Sequence, residues 1–196
     1  MRRQIRGALG AALLAGAVFG CAGGDSGAGG DGPAVASIGG AGSACALPVT
    51  FDVAKPWKTK RTEPVNDSSS WFHFSHACEI EAGTGDAKVT LSVHTPDGPV
   101  GDSPQKVMDS FQGAGLANYG EHTSDYHYNK SKVASSPALE MDYRMSPPDL
   151  QIKPSRHRRL AVVTPKGTVV LSADGSEGPA SRAFQLAKSS MKVTSS

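Results

Sequence analysis

The stretch HRRLAVVTPKGTVVLSAD, residues 157–174, decides the fold class of this chain. Pro165 and Gly167 indicate a tight turn, and the segments on both sides of it are apolar at consecutive positions. Strands that are apolar on both faces belong in the middle of a β-sheet that helices cover on at least one side. We therefore predict that these residues form a hairpin at the centre of a sheet.

The segment that follows the hairpin changes from strand to helix periodicity. Within SEGPASRAFQLAKSSMKV, residues 176–193, apolar side chains recur at every third or fourth position, which is the spacing of one helical face. The residues on that face are Ala180, Phe184, Ala187 and Met191. Ser176 precedes the pattern as a candidate N-cap residue. The pattern predicts a closing helix that packs on the sheet.

A second helix is predicted by DSPQKVMDSFQGAG, residues 102–115. Ser103 is placed to cap this helix, and Pro104 lies in its first turn, where a missing N–H group does no harm. The apolar face comprises Val107, Met108 and Phe111. We expect Gly113 or Gly115 to end the helix.

Five more segments have the composition or the alternation of strands. They are LPVTFDVAKPW (47–57), SSSWFHFSHACEIEA (68–82), AKVTLSVHTP (87–96), YGEHTSDYHYNKSKV (119–133) and SPALEMDYRMS (136–146). The order of strands, helix, strands and helix predicts an α+β fold with a central antiparallel β-sheet flanked by helices.

The chain also resembles a known family. The opening LPVTFDVAKPW, the capped helix SPQKVMDSF and the closing LAVVTPKGTVVLSADGSEGPASRAFQLAKSSM together look like actinobacterial envelope lipoproteins of the LpqN type, which have a Mog1/PsbP-like fold. The resemblance covers most of residues 45–196 and lies in layout and residue class. It implies binding and accessory roles rather than enzymatic turnover. It carries over no individual binding residue.

Residues 1–20 have the composition of an export signal. Arg2, Arg3 and Arg6 precede an apolar stretch that is shorter than the ~20 residues needed to span a bilayer, and this stretch ends in VFGC at Cys21. VFGC resembles the lipobox of bacterial lipoproteins. The resemblance implies that Cys21 carries a diacylglyceryl group with fatty acyl chains such as palmitate, anchored in the cell membrane on its extracytoplasmic face. The alternatives are an ordinary secreted protein cut elsewhere and a buried cysteine.

Residues 22–44 are rich in glycine and contain little that could pack, which predicts a flexible tether between the lipidated Cys21 and a single domain over residues 45–196. The excess of 20 basic over 18 acidic residues is due to the arginines of the export signal. The remaining chain is close to neutral and offers no overall electrostatic case for binding nucleic acid.

Cys45 and Cys78 are the cysteines of the expected domain. Export brings them into an oxidising or at least non-reducing environment, so we expect a structural disulfide between them. Two separately buried thiols or a redox switch are the alternatives. Neither cysteine belongs to a C-x-x-C motif, which is the arrangement of redox catalysts.

His73, His76 and Cys78 raise the question of a metal site, since imidazole and thiolate are good metal ligands. On a regular strand, however, His73 points to the opposite face from His76 and Cys78. A disulfide would also consume the thiolate. We therefore expect no metal ion and no cofactor.

An alternative function is an envelope hydrolase that uses Ser176 with His122 or His127. The residues around Ser176 do not form a nucleophile elbow, because Asp174 occupies the first glycine position of that motif. A helix cap at Ser176 and a solvated segment around the histidines explain these residues more simply. We expect that the protein is not an enzyme.

The segment KPSRHRR is the one dense basic stretch of the chain. Its basic residues are Lys153, Arg156, Arg158 and Arg159. They are candidates for binding an anionic lipid head group, a cell-wall phosphate or an acidic partner. The alternative is a solvated loop that leads into a strand.

Large aromatic side chains provide a second candidate site. Trp57, Trp71 and Phe72 could line an apolar pocket between the sheet and a helix. The alternative is that they belong to the hydrophobic core, which is the commoner fate of such residues.

These features together predict a membrane-anchored, extracytoplasmic lipoprotein that acts as a non-catalytic binding or accessory module of the cell envelope. Its expected partners are the membrane, through the lipid, and an envelope lipid, a cell-wall component or a membrane protein. Nucleic acid is not expected. A purely structural envelope lipoprotein is the remaining alternative.

Overall fold

A computed structural model describes residues 34–40, 42–54, 57–61, 74–83, 88–116, 122–146 and 153–194. The strands are β1 (Ala34–Ile38), β2 (Val49–Ala54), β3 (Lys58–Arg61), β4 (Phe74–Ala82), β5 (Val89–Pro96), β6 (Thr123–Val133), β7 (Ser136–Met145), β8 (Ser155–Thr164), β9 (Gly167–Gly175) and β10 (Lys192–Val193). The helices are α1 (Pro104–Leu116) and α2 (Glu177–Ser190).

Seven strands form the main sheet in the order β3-β4-β5-β9-β8-β7-β6, and β1, β2 and β10 form a smaller one. All neighbouring strands in both sheets are antiparallel. The α+β fold with an antiparallel sheet is confirmed, and the predicted hairpin β8–β9 lies at the middle of the main sheet. β3 and β10 were not predicted, because both are short edge strands without a run of alternating apolar residues.

The two faces of the main sheet carry separate hydrophobic cores. Leu160 and Leu171 pack on the α2 side together with β1, β2 and α2, whereas Ala161 and Val170 pack on the other side against α1. Successive strand residues point to opposite faces, so the consecutive apolar residues of β8 and β9 supply both cores. We call these the α2-side core and the α1-side core. Phe184 of α2 is fully buried, which stabilises the fold by about 1.5–3 kcal/mol.

Helix α1 begins where the sequence predicts and ends later than expected. The backbone N–H of Lys106 donates a hydrogen bond to the Ser103 hydroxyl at 3.4 Å, as a capping residue requires. The helix continues through Gly113 and Gly115 to Leu116, so the predicted stop at a glycine is wrong. A side chain at Gly113 would meet open space, and nothing in its surroundings requires the chain to leave the helix there.

The predicted tether over residues 22–44 is wrong at its C-terminal end. Strand β1 pairs with β2, and Ile38 is only 3% exposed, opposite Phe51. The domain therefore includes residues from Ala34 onward rather than from Cys45. The glycine-rich composition concealed this strand because its stability comes from pairing with β2 and not from its own sequence. Residues 1–33, including Cys21 and the export signal, lie outside the described part of the chain.

A β-bulge in β4 changes the predicted faces of that strand. The register with β5 shifts between His76 and Cys78. Phe74 therefore packs in the α1-side core, whereas Cys78 packs in the α2-side core. The prediction that His76 and Cys78 share one face is wrong for this reason, since an extra residue reverses the alternation beyond it.

The expected disulfide is present. Cys45 and Cys78 are bonded, their Cα atoms are 5.8 Å apart, and both residues are buried. The bond joins the segment before β2 to β4 and closes a loop of 33 residues. A loop of that length corresponds to about 3–4 kcal/mol of stabilisation in the chain-entropy description.

Gly39 tests whether the segment before Cys45 belongs to the domain. It has φ +100°, and a Cβ atom there would lie 1.9 Å from the carbonyl oxygen of Val49. We expect Gly39→Ala to lower the free energy of unfolding by at least about 1 kcal/mol, because the strained residue would separate β1 from β2.

The matched control is Gly40→Ala, where the new Cβ would meet only the Thr50 methyl group at 3.6 Å. We expect this change to alter stability by no more than about 0.5 kcal/mol. Chemical denaturation of both variants gives the measurement. Equal stability of Gly39→Ala and wild type would indicate that residues 34–44 belong to the tether, as the sequence predicted.

Candidate functional site

Polar and aromatic side chains gather on the α1 side of the central hairpin. Arg159 on β8 lies directly opposite Ser172 on β9, and both residues face α1. His94 on β5, Phe111 on α1 and Tyr143 on β7 surround them. We call these five residues the Arg159 cluster. The sequence pointed to Arg159 only as part of the basic stretch and did not predict the cluster, although Ser172 between Leu171 and Ala173 was a visible signal.

The Arg159 guanidinium lies between two aromatic rings. Its central carbon is 4.9 Å from the centre of the Phe111 ring and 5.1 Å from the centre of the Tyr143 ring. A cation at this distance is attracted to the ring faces. Phe111 also contacts His94, with ring centres 4.9 Å apart. The guanidinium is thus enclosed by rings rather than by carboxylates.

Two polar atoms of the cluster lack hydrogen-bond partners among the described residues. They are Nη1 of Arg159 and Oγ of Ser172, and both atoms are buried. Ser172 as a whole is 6% exposed. A buried polar group without a partner costs about 1–3 kcal/mol, so this pair stands out from the rest of the α1-side core.

The burial of His94 and Tyr143 keeps both side chains uncharged beside Arg159. It lowers the pKa of His94 to about 3, and the nearby His76 and Arg159 add to this effect. It raises the pKa of the Tyr143 hydroxyl to about 12. Both side chains are therefore neutral at neutral pH, and Arg159 carries the charge of the cluster.

A hydrogen-bonded chain of three residues lies beside the Arg159 cluster. Nδ1 of His157 is 2.6 Å from Oδ1 of Asp174, and Nε2 is 2.8 Å from Oγ of Ser155. The His157 side chain is 12% exposed and stacks on Tyr143, with ring centres 5.2 Å apart. A serine, an imidazole and a carboxylate in this order have the connectivity of a hydrolase triad.

The four basic residues of the predicted patch do not form one surface. Arg156 and Arg158 both bind the carboxylate of Asp142, with Nε–Oδ distances of 2.5 and 3.0 Å. Arg158 also donates to the hydroxyl of Ser181 on α2, which places these two arginines on the α2 side. Arg159 points to the α1 side and Lys153 is exposed. Alternation along β8 separates them.

The residues of the hydrolase alternative, Ser176, His122 and His127, lie at different elements of the fold. Ser176 is the N-cap residue of α2 but makes no capping hydrogen bond with its side chain. His127 lies on the exposed strand β6 and lines a cavity of about 190 Å³ with charged neighbours. The other residues that line this cavity are Asp125, Arg144, Pro154, Arg156 and Glu177. His122, which precedes β6, is not among them.

The predicted apolar pocket is placed only in part. Trp57 is half-buried and packs against the α2-side core, as the core interpretation expects. Trp71 and Phe72 lie outside the described residues. The pocket formed by all three therefore stays a prediction.

The metal question has a partial answer. His76 stacks on His94 with ring centres 4.8 Å apart, on the opposite side of the sheet from Cys78. Among the described residues, no group of three or more histidine, cysteine or acidic side chains could hold a metal ion. His73 lies outside the described residues.

No helix in the part of the chain that the structure describes is long and apolar enough to cross a membrane.

Comparisons with known proteins concern the family and the fold. Residues 23–191 match the profile of a family described as uncharacterised lipoprotein. No curated protein matches the chain. The solution structure of cyanobacterial PsbP (CyanoP) from Synechocystis sp. PCC 6803 is similar, with a TM-score of 0.48 and 13% sequence identity over 82% of this chain and 99% of that chain.

His94 predicts a specific pH dependence of stability. Its pKa is about 3 in the folded state and near 6.5 in the unfolded chain, so between these values only the unfolded state takes up the proton. The contribution of His94 to stability is therefore complete above pH 6.5 and falls by about 1.4 kcal/mol per pH unit towards pH 3.

We expect His94→Leu to reduce this slope in urea unfolding measured between pH 6.5 and 4. His127→Leu, which removes an exposed imidazole, is the control for the substitution itself. Identical slopes in His94→Leu and wild type would contradict the burial of a neutral His94.

Proposed function

Because this chain belongs to a family of uncharacterised lipoproteins, we propose that it is a membrane-anchored, extracytoplasmic lipoprotein that acts as a non-catalytic binding module of the cell envelope. Within that family we propose a role like that of the LpqN-type envelope lipoproteins that the sequence resembles. The anchor in this proposal is Cys21 of the VFGC motif. Acyl chains on this residue would hold the protein stably at the membrane, since two or more chains suffice for lasting attachment.

The disulfide supports the extracytoplasmic location. Structural disulfides form and persist outside the reducing cytoplasm, and Cys45–Cys78 is a buried bond within the domain. The disulfide and the proposed lipid anchor therefore both support a location outside the cytoplasm.

The Arg159 cluster is the observation that carries the binding role. A protein that served only as a spacer would gain stability from an apolar residue at position 159, because a buried N–H group without a hydrogen-bond partner, such as Nη1 of Arg159, is costly. The cluster instead keeps the Arg159 guanidinium between two aromatic rings and opposite the buried hydroxyl of Ser172. Such a group of a few polar atoms in apolar surroundings is typical of ligand sites. This favours a binding module over the purely structural alternative.

The partners follow from the location. In this proposal the protein meets the membrane through its lipid, and its ligand is an envelope lipid, a cell-wall component or a membrane protein. Nucleic acid has no part in it.

A hydrolase is the second candidate function, and Ser155, His157 and Asp174 favour it over the earlier choice of Ser176. His157 is bonded on both ring nitrogens as a general base would be. However, Ser155 begins a regular antiparallel strand and not the strained turn of a nucleophile elbow. The imidazole is also held under the Tyr143 ring. We therefore propose that the three residues hold β8 and β9 together at the edge of the cluster.

A fluorophosphonate probe separates the two functions. We expect no phosphonylated protein by intact mass, because Ser155 lies on a regular strand rather than on the exposed turn of a nucleophile elbow. A known serine hydrolase in the same reaction controls for probe activity. Labelling of wild type that disappears in Ser155→Ala and His157→Gln would establish a hydrolase that uses these residues. Labelling that disappears in Ser176→Ala would establish the hydrolase that uses Ser176 with His122 or His127.

The anchor is tested by membrane fractionation with intact-mass analysis of wild type and Cys21→Ala. We expect wild type in the membrane fraction with the mass of a diacylglyceryl group, and Cys21→Ala without that mass and outside the membrane fraction. Wild-type protein that is unlipidated and soluble would contradict the anchored module.

A further inference from the structure

We propose that the Arg159 cluster binds an oxyanion, the carboxylate or phosphate group of an envelope ligand, through the Arg159 guanidinium and the Ser172 hydroxyl. This inference rests on the binding function proposed above and names the chemistry of its ligand.

The donors of Arg159 determine the charge of the ligand. Guanidinium offers five N–H donors in a planar fork, which matches carboxylate and phosphate oxygens, and it accepts no hydrogen bonds. Nη1 is buried without a hydrogen-bond partner, and Arg159 forms no ion pair with any described acidic residue. The hydrogen-bond acceptor that best matches this cationic N–H donor is a negatively charged oxygen.

Ser172 supplies a second donor at the same place. Directly opposite residues of antiparallel strands have Cβ atoms about 4.5–5.5 Å apart, and Arg159 and Ser172 are such a pair. The Ser172 Oγ atom is buried and unpartnered in the described structure. Its hydroxyl and the guanidinium can therefore donate to two oxygens of one oxyanion.

No ion pair with a described carboxylate neutralises Arg159. His94 and Tyr143 are uncharged at neutral pH, and the carboxylate of Asp174 is bonded to His157. The neighbouring rings attract the cation but provide no acceptor for its N–H groups. Phe111 is half-buried and forms one wall of the cluster, which suits an apolar or aromatic body attached to the anion.

Arg156 provides a matched control on the same strand. Its guanidinium is paired with Asp142 on the opposite face of the sheet. Removal of this charge changes the net charge of the protein as removal of Arg159 does. An oxyanion that is attracted only by net charge would respond equally to both changes.

The test uses the full chain, purified in a non-ionic detergent, and isothermal titration with three probes. Octanoate carries a carboxylate on a short apolar chain, octanamide is its neutral counterpart, and inorganic phosphate is an oxyanion without an apolar body. We expect octanoate or phosphate to bind wild type, and octanamide to bind at least about tenfold more weakly than octanoate. Arg159→Gln should weaken oxyanion binding at least about tenfold, and Arg156→Gln should change it less than about threefold.

A second variant guards against misfolding. Arg159→Met keeps an unbranched apolar stem and removes the guanidinium with its unpartnered Nη1 group, so its melting temperature should equal or exceed that of wild type while oxyanion binding is lost. Binding of octanoate but not phosphate would identify an amphiphilic carboxylate, and binding of both would identify the oxyanion alone. Either result supports the proposal.

Three results would overturn the proposal: no binding of octanoate or phosphate to wild type, equal loss in Arg156→Gln and Arg159→Gln, or a lowered melting temperature of Arg159→Met with binding unchanged. None of these results would contradict the proposal that the protein is a membrane-anchored module. That proposal would be contradicted by a different result, wild-type protein whose intact mass lacks the diacylglyceryl group.

Discussion

The hairpin β8–β9 lies at the middle of the main sheet, with strand neighbours on both edges and a hydrophobic core on each face. The side chains in the middle of these two strands must therefore enter one of two covered layers. Apolar residues do so at no cost, and they supply both cores. Polar residues must find partners within the layer that their position assigns to them, because water does not reach them easily. This constraint determines where the chemistry of the molecule can lie.

The arginines of β8 show how the constraint acts. Arg156 and Arg158 enter the α2 side, where the carboxylate of Asp142 satisfies both. Arg159 is the next residue and enters the α1 side, where it meets rings and a serine instead. One step along the strand thus separates two arginines that pair with Asp142 from an arginine whose guanidinium lies between the rings of Phe111 and Tyr143. The first arrangement is structural, and the second has the features of a site.

The same reasoning links the fold to the proposed function. The small sheet, α2 and the disulfide complete the α2-side core and secure the domain. The α1 side has fewer apolar residues and contains His94, Tyr143, His157 and Arg159. Stability and binding can therefore lie on opposite faces of one sheet. A lipoprotein that binds a ligand beside the membrane needs this separation, since its site must tolerate groups that a core would exclude.

The amino-acid sequence by itself determined the class of the fold, because hydrophobic periodicity is local: the consecutive apolar residues of 157–174 required a covered hairpin, and the spacing of Phe184 and Ala187 required a helix beside it. It also predicted the disulfide between Cys45 and Cys78, which the structure contains, and it suggested the proposed anchor at Cys21 through VFGC. Only the tertiary structure decided that Ala34–Ile38 joins the domain, that a bulge separates His76 from Cys78, and which residues of other elements surround Arg159. These outcomes depend on register between strands distant in sequence, and a shift of one residue in register reverses the face on which a side chain lies.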